Sequence, residues 1–184
     1  MLQKNRNRYV VKGWELLKVK NYKRLQSFDC GRDDLNDFFR NDALAHKQQL
    51  LCETYFVKEA TVEDESPVAL ISLCNDAVRR EKVWDRLNLP ETKKYSVYPA
   101  VKIVRFGVRS ELQRKNIGTH IINMIKKLFL TDNRTGCRLV TVDAYNDTET
   151  LDFYFKNEFE SLSAKDKHKR QRTLFFDLKR LQIK

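Results

Sequence analysis

Glycine is scarce in this chain: Gly13, Gly31, Gly107, Gly118 and Gly136 are the only five in 184 residues. Walker A loops and the G-x-G-x-x-G turn both need glycines a few residues apart, so both nucleotide motifs are excluded. Cys30, Cys52, Cys74 and Cys137 lie too far apart to form a C-x-x-C pair, which removes the common zinc and redox motifs. The three histidines, His46, His120 and His168, have neither metal spacing nor an evident nucleophile partner, and no metal site is expected. Long apolar runs are missing too: the strongest, around Val68 to Cys74, is far too short to span a bilayer. The opening residues, MLQKNRNRYVVKGWELL, carry charge but no apolar core with a small-residue cleavage site. A signal peptide is therefore not expected, nor a disulfide framework, and the expected setting is cytoplasmic. No repeat and no Gly/Pro/Ser-rich linker divides the sequence, so a single domain over residues 1–184 is expected.

What the chain does have is positive charge. Lys and Arg number 36 against 25 Asp and Glu, a formal net charge of +11. The bases bunch at the ends: Lys4, Arg6, Arg8, Lys12, Lys18, Lys20, Lys23 and Arg24, then Lys165, Lys167, Lys169, Arg170 and Arg172. A field of this sign attracts phosphate, in a cofactor, a nucleic acid or an anionic surface, or it simply keeps a surface soluble. Apolar residues make up 41% and recur in patterned blocks, which excludes a disordered chain.

The patterns predict a strand over Glu15–Leu25, then a helix opening at Asp33 and Asp34 and running to about Leu51 with Leu35, Phe38, Phe39, Ala43 and Leu44 on one face. Thr54–Val57 and Pro67–Val78 predict an antiparallel hairpin around an acidic turn at Glu63–Ser66. A polar connection from Arg79 to Tyr98 follows, with a helical turn at Trp84–Leu87. Val101–Val108 reads as a strand, Asn116–Leu130 as an amphipathic helix and Leu139–Ala144 as a strand. That order makes a βαβ unit with parallel strands. Asp147 and Thr148 cap a helix over Glu149–Asn157, and Phe159–Leu162 pairs with Arg172–Leu178. The whole is an α/β chain with a mixed sheet and helices on both faces.

The turn Glu111–Thr119 joins strand to helix inside the βαβ unit. It offers a helix N-terminus, two cations in Arg114 and Lys115, and a glycine, Gly118, where a phosphate would approach the backbone. Any basic strand-to-helix turn shares these features, so the turn alone leaves a purely structural role open.

The run Val104-Arg105-Phe106-Gly107-Val108, followed by Gln113 through Gly118, resembles the central motif of the GNAT superfamily of acyl-CoA N-acyltransferases. There a strand precedes Q/R-x-x-G-x-G/A at the start of a helix. Gln113 and Gly118 match, and Asn116 stands in place of the middle glycine. A second likeness runs from Val142 through Asn146 to Phe153-Tyr154 and Phe159, with Glu158 where the family has glycine. A narrower one, in Phe28-Asp29-Cys30-Gly31 and Leu35-Asn36-Asp37-Phe38 and in Tyr98-Pro99-Ala100, resembles the branch with toxins that acetylate aminoacyl-tRNA under ribbon-helix-helix antitoxins.

The resemblance implies a GNAT-like central sheet whose parallel strands splay apart, and acetyl-CoA as cofactor. The backbone of Phe106, Gly107 and Val108 would pair with the pantetheine. The amides of Gln113, Arg114, Lys115, Asn116, Ile117, Gly118 and Thr119 would hold the pyrophosphate, and Asn146 would touch the cofactor. Tyr154 would be the proton donor, although its spacing from Leu151 taken alone favours core packing. No general base stands out; Asp143 and Glu158 are nearby carboxylates, and Arg105 either faces the acceptor or anchors the fold. The expected function is acetyl transfer to a primary amine of a small molecule or protein. Acetylation of aminoacyl-tRNA and a non-catalytic, GNAT-shaped nucleic-acid binder are the alternatives. Expected partners are the amine acceptor, then tRNA, a ribbon-helix-helix antitoxin or a second copy in a homodimer, with no membrane.

Overall fold

In a computed structural model the described residues are 8–11, 13–62, 66–87, 95–131 and 135–182. They form an α+β fold with one mixed eight-stranded sheet. Its strands are β1 (Arg8–Val11), β2 (Trp14–Lys18), β3 (Glu53–Glu59), β4 (Ala69–Arg79), β5 (Val97–Val108), β6 (Leu139–Tyr145), β7 (Glu160–Ser161) and β8 (Gln171–Asp177), in the order β1-β2-β3-β4-β5-β6-β8-β7. The helices are α1 (Asp33–Asp37), α2 (Ala43–Gln48), α3 (Ile117–Leu128) and α4 (Thr148–Lys156). Among the described residues, no helix is long and apolar enough to cross a membrane.

Residues 1–74 and 104–124 make one compact unit. Here β1, β2, β3 and the first half of β4 form an antiparallel meander, with Leu16 opposite Val57 and Phe56 opposite Leu70. The expected helix over 33–51 is present, but one turn, Phe38–Asp42, is π-helical: Ala43 N–H reaches back to Phe38 O. A wider turn carries one extra residue, and this lets the consecutive Phe38 and Phe39 both turn inward, 3% and 1% exposed. They join Leu25, Phe28, Leu35 and Leu70 in one apolar cluster. Arg105 lies over the Phe38 ring at 5.0 Å and donates to Val104 O, contacts that fit the anchoring one of its two expected roles.

Residues 75–103 and 125–184 make the other unit. The expected parallel pairing is present: Ala100 to Ile103 of β5 face Leu139 to Val142 of β6. This ladder is four pairs long, whereas β5 continues to Val108 and β6 to Tyr145. On its other side β6 pairs along its whole length with β8, from Leu139↔Asp177 to Tyr145↔Gln171, and β7 pairs with β8. Asp147 caps α4 as expected, accepting Thr150 N–H at 2.7 Å.

Two expectations need correction. The strand placed over Glu15–Leu25 stops at Lys18, and Tyr22–Ser27 is a 3₁₀ turn capped by Asn21, whose side chain accepts Lys23 N–H. A local side-chain acceptor competes successfully with the sheet there. The strand expected to begin at Val101 begins at Val97 and includes Pro99. The acidic turn at 63–65 and the segments 88–94 and 132–134 lie outside the described residues.

Just beyond α4 and its cap Asn157 stands Glu158, whose φ is +63°. Its neighbours close the helix in the usual left-handed way: Glu158 N–H donates to Phe155 O and Phe159 N–H to Tyr154 O. A non-glycine residue is strained in this region. Glu158→Gly is therefore expected to gain about 1 kcal/mol, raising Tm by about 2–4 °C, as read by thermal melting followed with circular dichroism.

Candidate active site

The segment from Phe106 to Thr119 is shaped by an unusual backbone. β5 ends at Val108, a 3₁₀ turn spans Ser110–Leu112, and α3 begins at Ile117. Between them Arg114 and Asn116 both have φ of +60°. The replacement of the motif's middle glycine by Asn116 thus leaves the left-handed backbone in place, Asn being among the residues that tolerate it best. Left-handed residues interleaved with others turn successive amides to one side, the geometry of anion-binding nests. His120 N–H donates to Asn116 O at 3.1 Å and Gln113 N–H to Ser110 O at 3.3 Å; the first amides of a helix have no partner within the helix itself. Arg114, Lys115 and Asn116 are exposed, while Ile117 sends its side chain into the core.

This strained turn is held by the loop that precedes α1. The Gln113 side chain donates from Nε2 to Cys30 O at 2.8 Å and Val108 O at 2.9 Å. Ser110 N–H donates to Asp29 O, and Arg109 N–H to Val68 O. Gly107 allows Cys30 to approach closely: a Cβ there would meet Cys30 Sγ at 2.9 Å. The loop is itself knotted by polar contacts. Asp29 accepts from Gly31 N–H at 2.8 Å and Asn36 Nδ2 at 2.7 Å, and Asn36 Oδ1 accepts from Cys30 N–H and Sγ. Gly31, at φ +74°, supplies the turn conformation this loop requires. The residues that carry the narrower family likeness, Phe28 to Phe38, therefore buttress the turn. That support was not foreseen, though the D-x-G spacing of Asp29 and Gly31 is an Asx-turn signal.

Tyr154 sits on α4, only 5% exposed, with the Phe153 and Phe159 rings edge-on at 5.1 and 5.3 Å. Burial pushes its phenol well above the ordinary tyrosine range. The end of its helix is clamped by Lys126, itself 2% exposed, which donates to Asn157 O at 2.6 Å and lies 3.7 Å from the centre of the Phe176 ring. Asn146 spends its side-chain nitrogen within its own unit, donating to Lys167 O and Lys169 O at 2.8 Å each. Asp143 is ion-paired with Lys102 and accepts from Thr173 Oγ1, so it is not an uncommitted base. Cys30 is buried and its thiol is pushed up by desolvation, which makes it a packing group and not a nucleophile. Among the described residues no three His, Cys, Asp or Glu side chains gather as a metal site.

By sequence, no protein-family model and no curated protein matches the chain. Solved structures do. AtaTR bound with AcCoA superposes with a TM-score of 0.70 at 18% identity, over 94% of this chain and 98% of the other. A tyrosine-to-phenylalanine mutant of KacT gives 0.72 at 16% identity, over 94% and 99%. AtaT complexed with acetyl-methionyl-tRNAfMet gives 0.69 at 19% identity, over 92% and 98%. The chain shares the fold of these proteins.

Two outcomes follow from the buttress. Gly107→Ala is expected to cost about 1–3 kcal/mol through the clash with Cys30, measured by urea unfolding. Asp29 is held below the ordinary carboxylate range, first by Gly31 N–H and then by Asn36. A lowered carboxylate contributes stability above its unfolded value, about 3.9, and loses it as pH falls through the folded value. Acid unfolding of Asp29→Ala should therefore be less steep below about pH 4 than that of the unmodified protein, as followed by tryptophan fluorescence.

Proposed function

We propose that the chain is an acetyl-CoA-dependent N-acetyltransferase, a single catalytic domain acting in the cytoplasm on a primary amine. The observation that carries it is the left-handed pair Arg114 and Asn116 at the head of α3, on a fold whose solved examples include a complex with AcCoA. What supports a diphosphate there is a helix N-terminus beside the exposed residues Arg114 and Lys115. Residues Gln113 to Thr119 would hold the pyrophosphate, and the backbone of Phe106, Gly107 and Val108 the pantetheine arm. Asn146, with its Nδ2 occupied, would have only its carbonyl oxygen to offer.

Acetyl-CoA supplies the acetyl group as a thioester already reactive toward amines, so the protein's main contribution is positioning. The backbone N–H near Phe106 would donate to the carbonyl oxygen as negative charge grows there. Tyr154 would donate its hydroxyl hydrogen toward the departing sulfur. Because burial raises its pKa, the phenol stays protonated as pH climbs through the ordinary tyrosine value of about 10. The same desolvation disfavours a free phenolate, so the proton is best shared with sulfur and completed from water.

One observation favours aminoacyl-tRNA as the acceptor over a small molecule or protein amine: the same fold is seen in AtaT complexed with acetyl-methionyl-tRNAfMet. The net charge of +11 agrees with a polyanionic substrate. A small antitoxin would then be a natural partner, as AtaR is for AtaT. The non-catalytic binder loses its support, since the two departures that suggested it, Asn116 and Glu158, keep the glycine-like backbone.

Tyr154→Phe tests the assignment. It keeps the ring in place between Phe153 and Phe159, so Tm should change little. Turnover should fall by about 10²–10⁴, while calorimetric binding of acetyl-CoA is retained. Full activity in the variant would return Tyr154 to core packing, and no heat with acetyl-CoA in the unmodified protein would remove the enzyme reading.

A further inference from the structure

The loop between β7 and β8 sorts its charges. Lys165-Asp166-Lys167-His168-Lys169-Arg170 holds four cations and one acid in six residues. The acid is turned inward: Asp166 is 6% exposed, accepts Thr173 N–H through Oδ2 at 3.0 Å, and lies 3.6 Å from the Arg172 guanidinium. The four cations and His168 are all exposed, and no other described residue engages the side chain of Lys165, Lys167, Lys169 or Arg170. The only carboxylate of the loop is thus neutralised from within.

The loop is also tied down by hydrogen bonds at several points. Asn146 Nδ2 ties down two of its carbonyls, those of Lys167 and Lys169, and Asn146 N–H takes a third, Arg170 O. Ser163 caps its first turn through Lys165 N–H, and Lys169 N–H returns to Asp166 O. Ordering a basic loop before it meets its partner lowers the entropy lost on binding.

We propose that the loop Lys165–Arg170 is a grip for the sugar-phosphate backbone of a structured RNA, with Asn146 and Asp166 as the residues that set its shape. It rests on the aminoacyl-tRNA reading of the acceptor. Phosphate contacts need cations and donors and no apolar anchor, which is this loop's composition. A membrane-surface site would add aromatic or aliphatic side chains for insertion, and the segment from Lys165 to Arg170 has none. Asn146, expected to touch the cofactor, has its amide nitrogen committed to this loop, which gives that motif residue a second use.

The test compares two variants of equal charge loss by fluorescence anisotropy with labelled deacylated tRNA over a range of salt. One carries Lys165→Gln, Lys167→Gln, Lys169→Gln and Arg170→Gln. The other carries Lys20→Gln, Lys23→Gln, Lys82→Gln and Lys127→Gln, all exposed positions elsewhere. The loop variant should bind about tenfold more weakly or worse near physiological salt, and its log K against log salt slope should shrink by about 3. The control should keep most of its affinity, and Lys165→Arg, Lys167→Arg, Lys169→Arg should restore binding. Equal weakening in both variants, or none in the loop variant, overturns the proposal. So does loop-dependent binding to phosphatidylserine vesicles or to polyglutamate without loop-dependent tRNA binding. Calorimetry with acetyl-CoA is run in parallel. Loss of cofactor binding in the unmodified protein, with tRNA affinity still governed by the loop, would sink the enzyme reading and leave the grip standing.

Discussion

The arrangement depends on keeping a costly backbone in place between β5 and α3. Two left-handed non-glycine residues, Arg114 and Asn116, stand two apart, and such conformations cost on the order of 1–3 kcal/mol each unless the surroundings fix them. The fixing comes from Gln113, whose amide spans two carbonyls from different parts of the chain. Behind it stands the Asp29-Asn36-Cys30 network. Asp29 and Asn36 bond each other and the Cys30 and Gly31 amides, and the loop so held presents Cys30 O to Gln113. Removing one member would release a strained turn into a softer one.

A comparable logic secures the helix that holds Tyr154. Helix ends leave carbonyls that need donors, and here one of them, Asn157 O, takes a lysine from α3. An ammonium buried at 2% exposure is tolerable because it has that carbonyl and the Phe176 face beside it. The ring of Tyr154 is held by its aromatic neighbours Phe153 and Phe159, edge-on at 5.1 and 5.3 Å.

Much of this was legible from residue order alone. The periodicity of Ile117, Ile121, Met124 and Ile125 located α3 to within a residue at its start, and Asp147 marked the start of α4 because a capping carboxylate is a local signal. The parallel pairing of β5 and β6 followed from strand, helix and strand in sequence. What stayed hidden was long-range or depended on a competing local bond. The bonds from Gln113 to Cys30 join residues 83 apart. The tie from Asn146 to the basic loop spans 21 and 23 residues and has no local signature. Strand Arg8–Val11 was missed for its charge, and the π-helical turn has no periodic signature. Lys126 was invisible for a simpler reason: a lysine among isoleucines reads as the polar side of a helix, while here it points inward.

The sealed position of Lys126 has a chemical consequence for a protein that would work beside an activated thioester. Surface lysines meet such donors directly and are open to stray acylation, whereas an amine packed on a ring and bonded to a carbonyl has no route to the reagent. It can be modified only when the surrounding helices part. Acylation found at that one side chain would accordingly count the moments when the core opens, making this buried amine an internal clock of the protein's breathing.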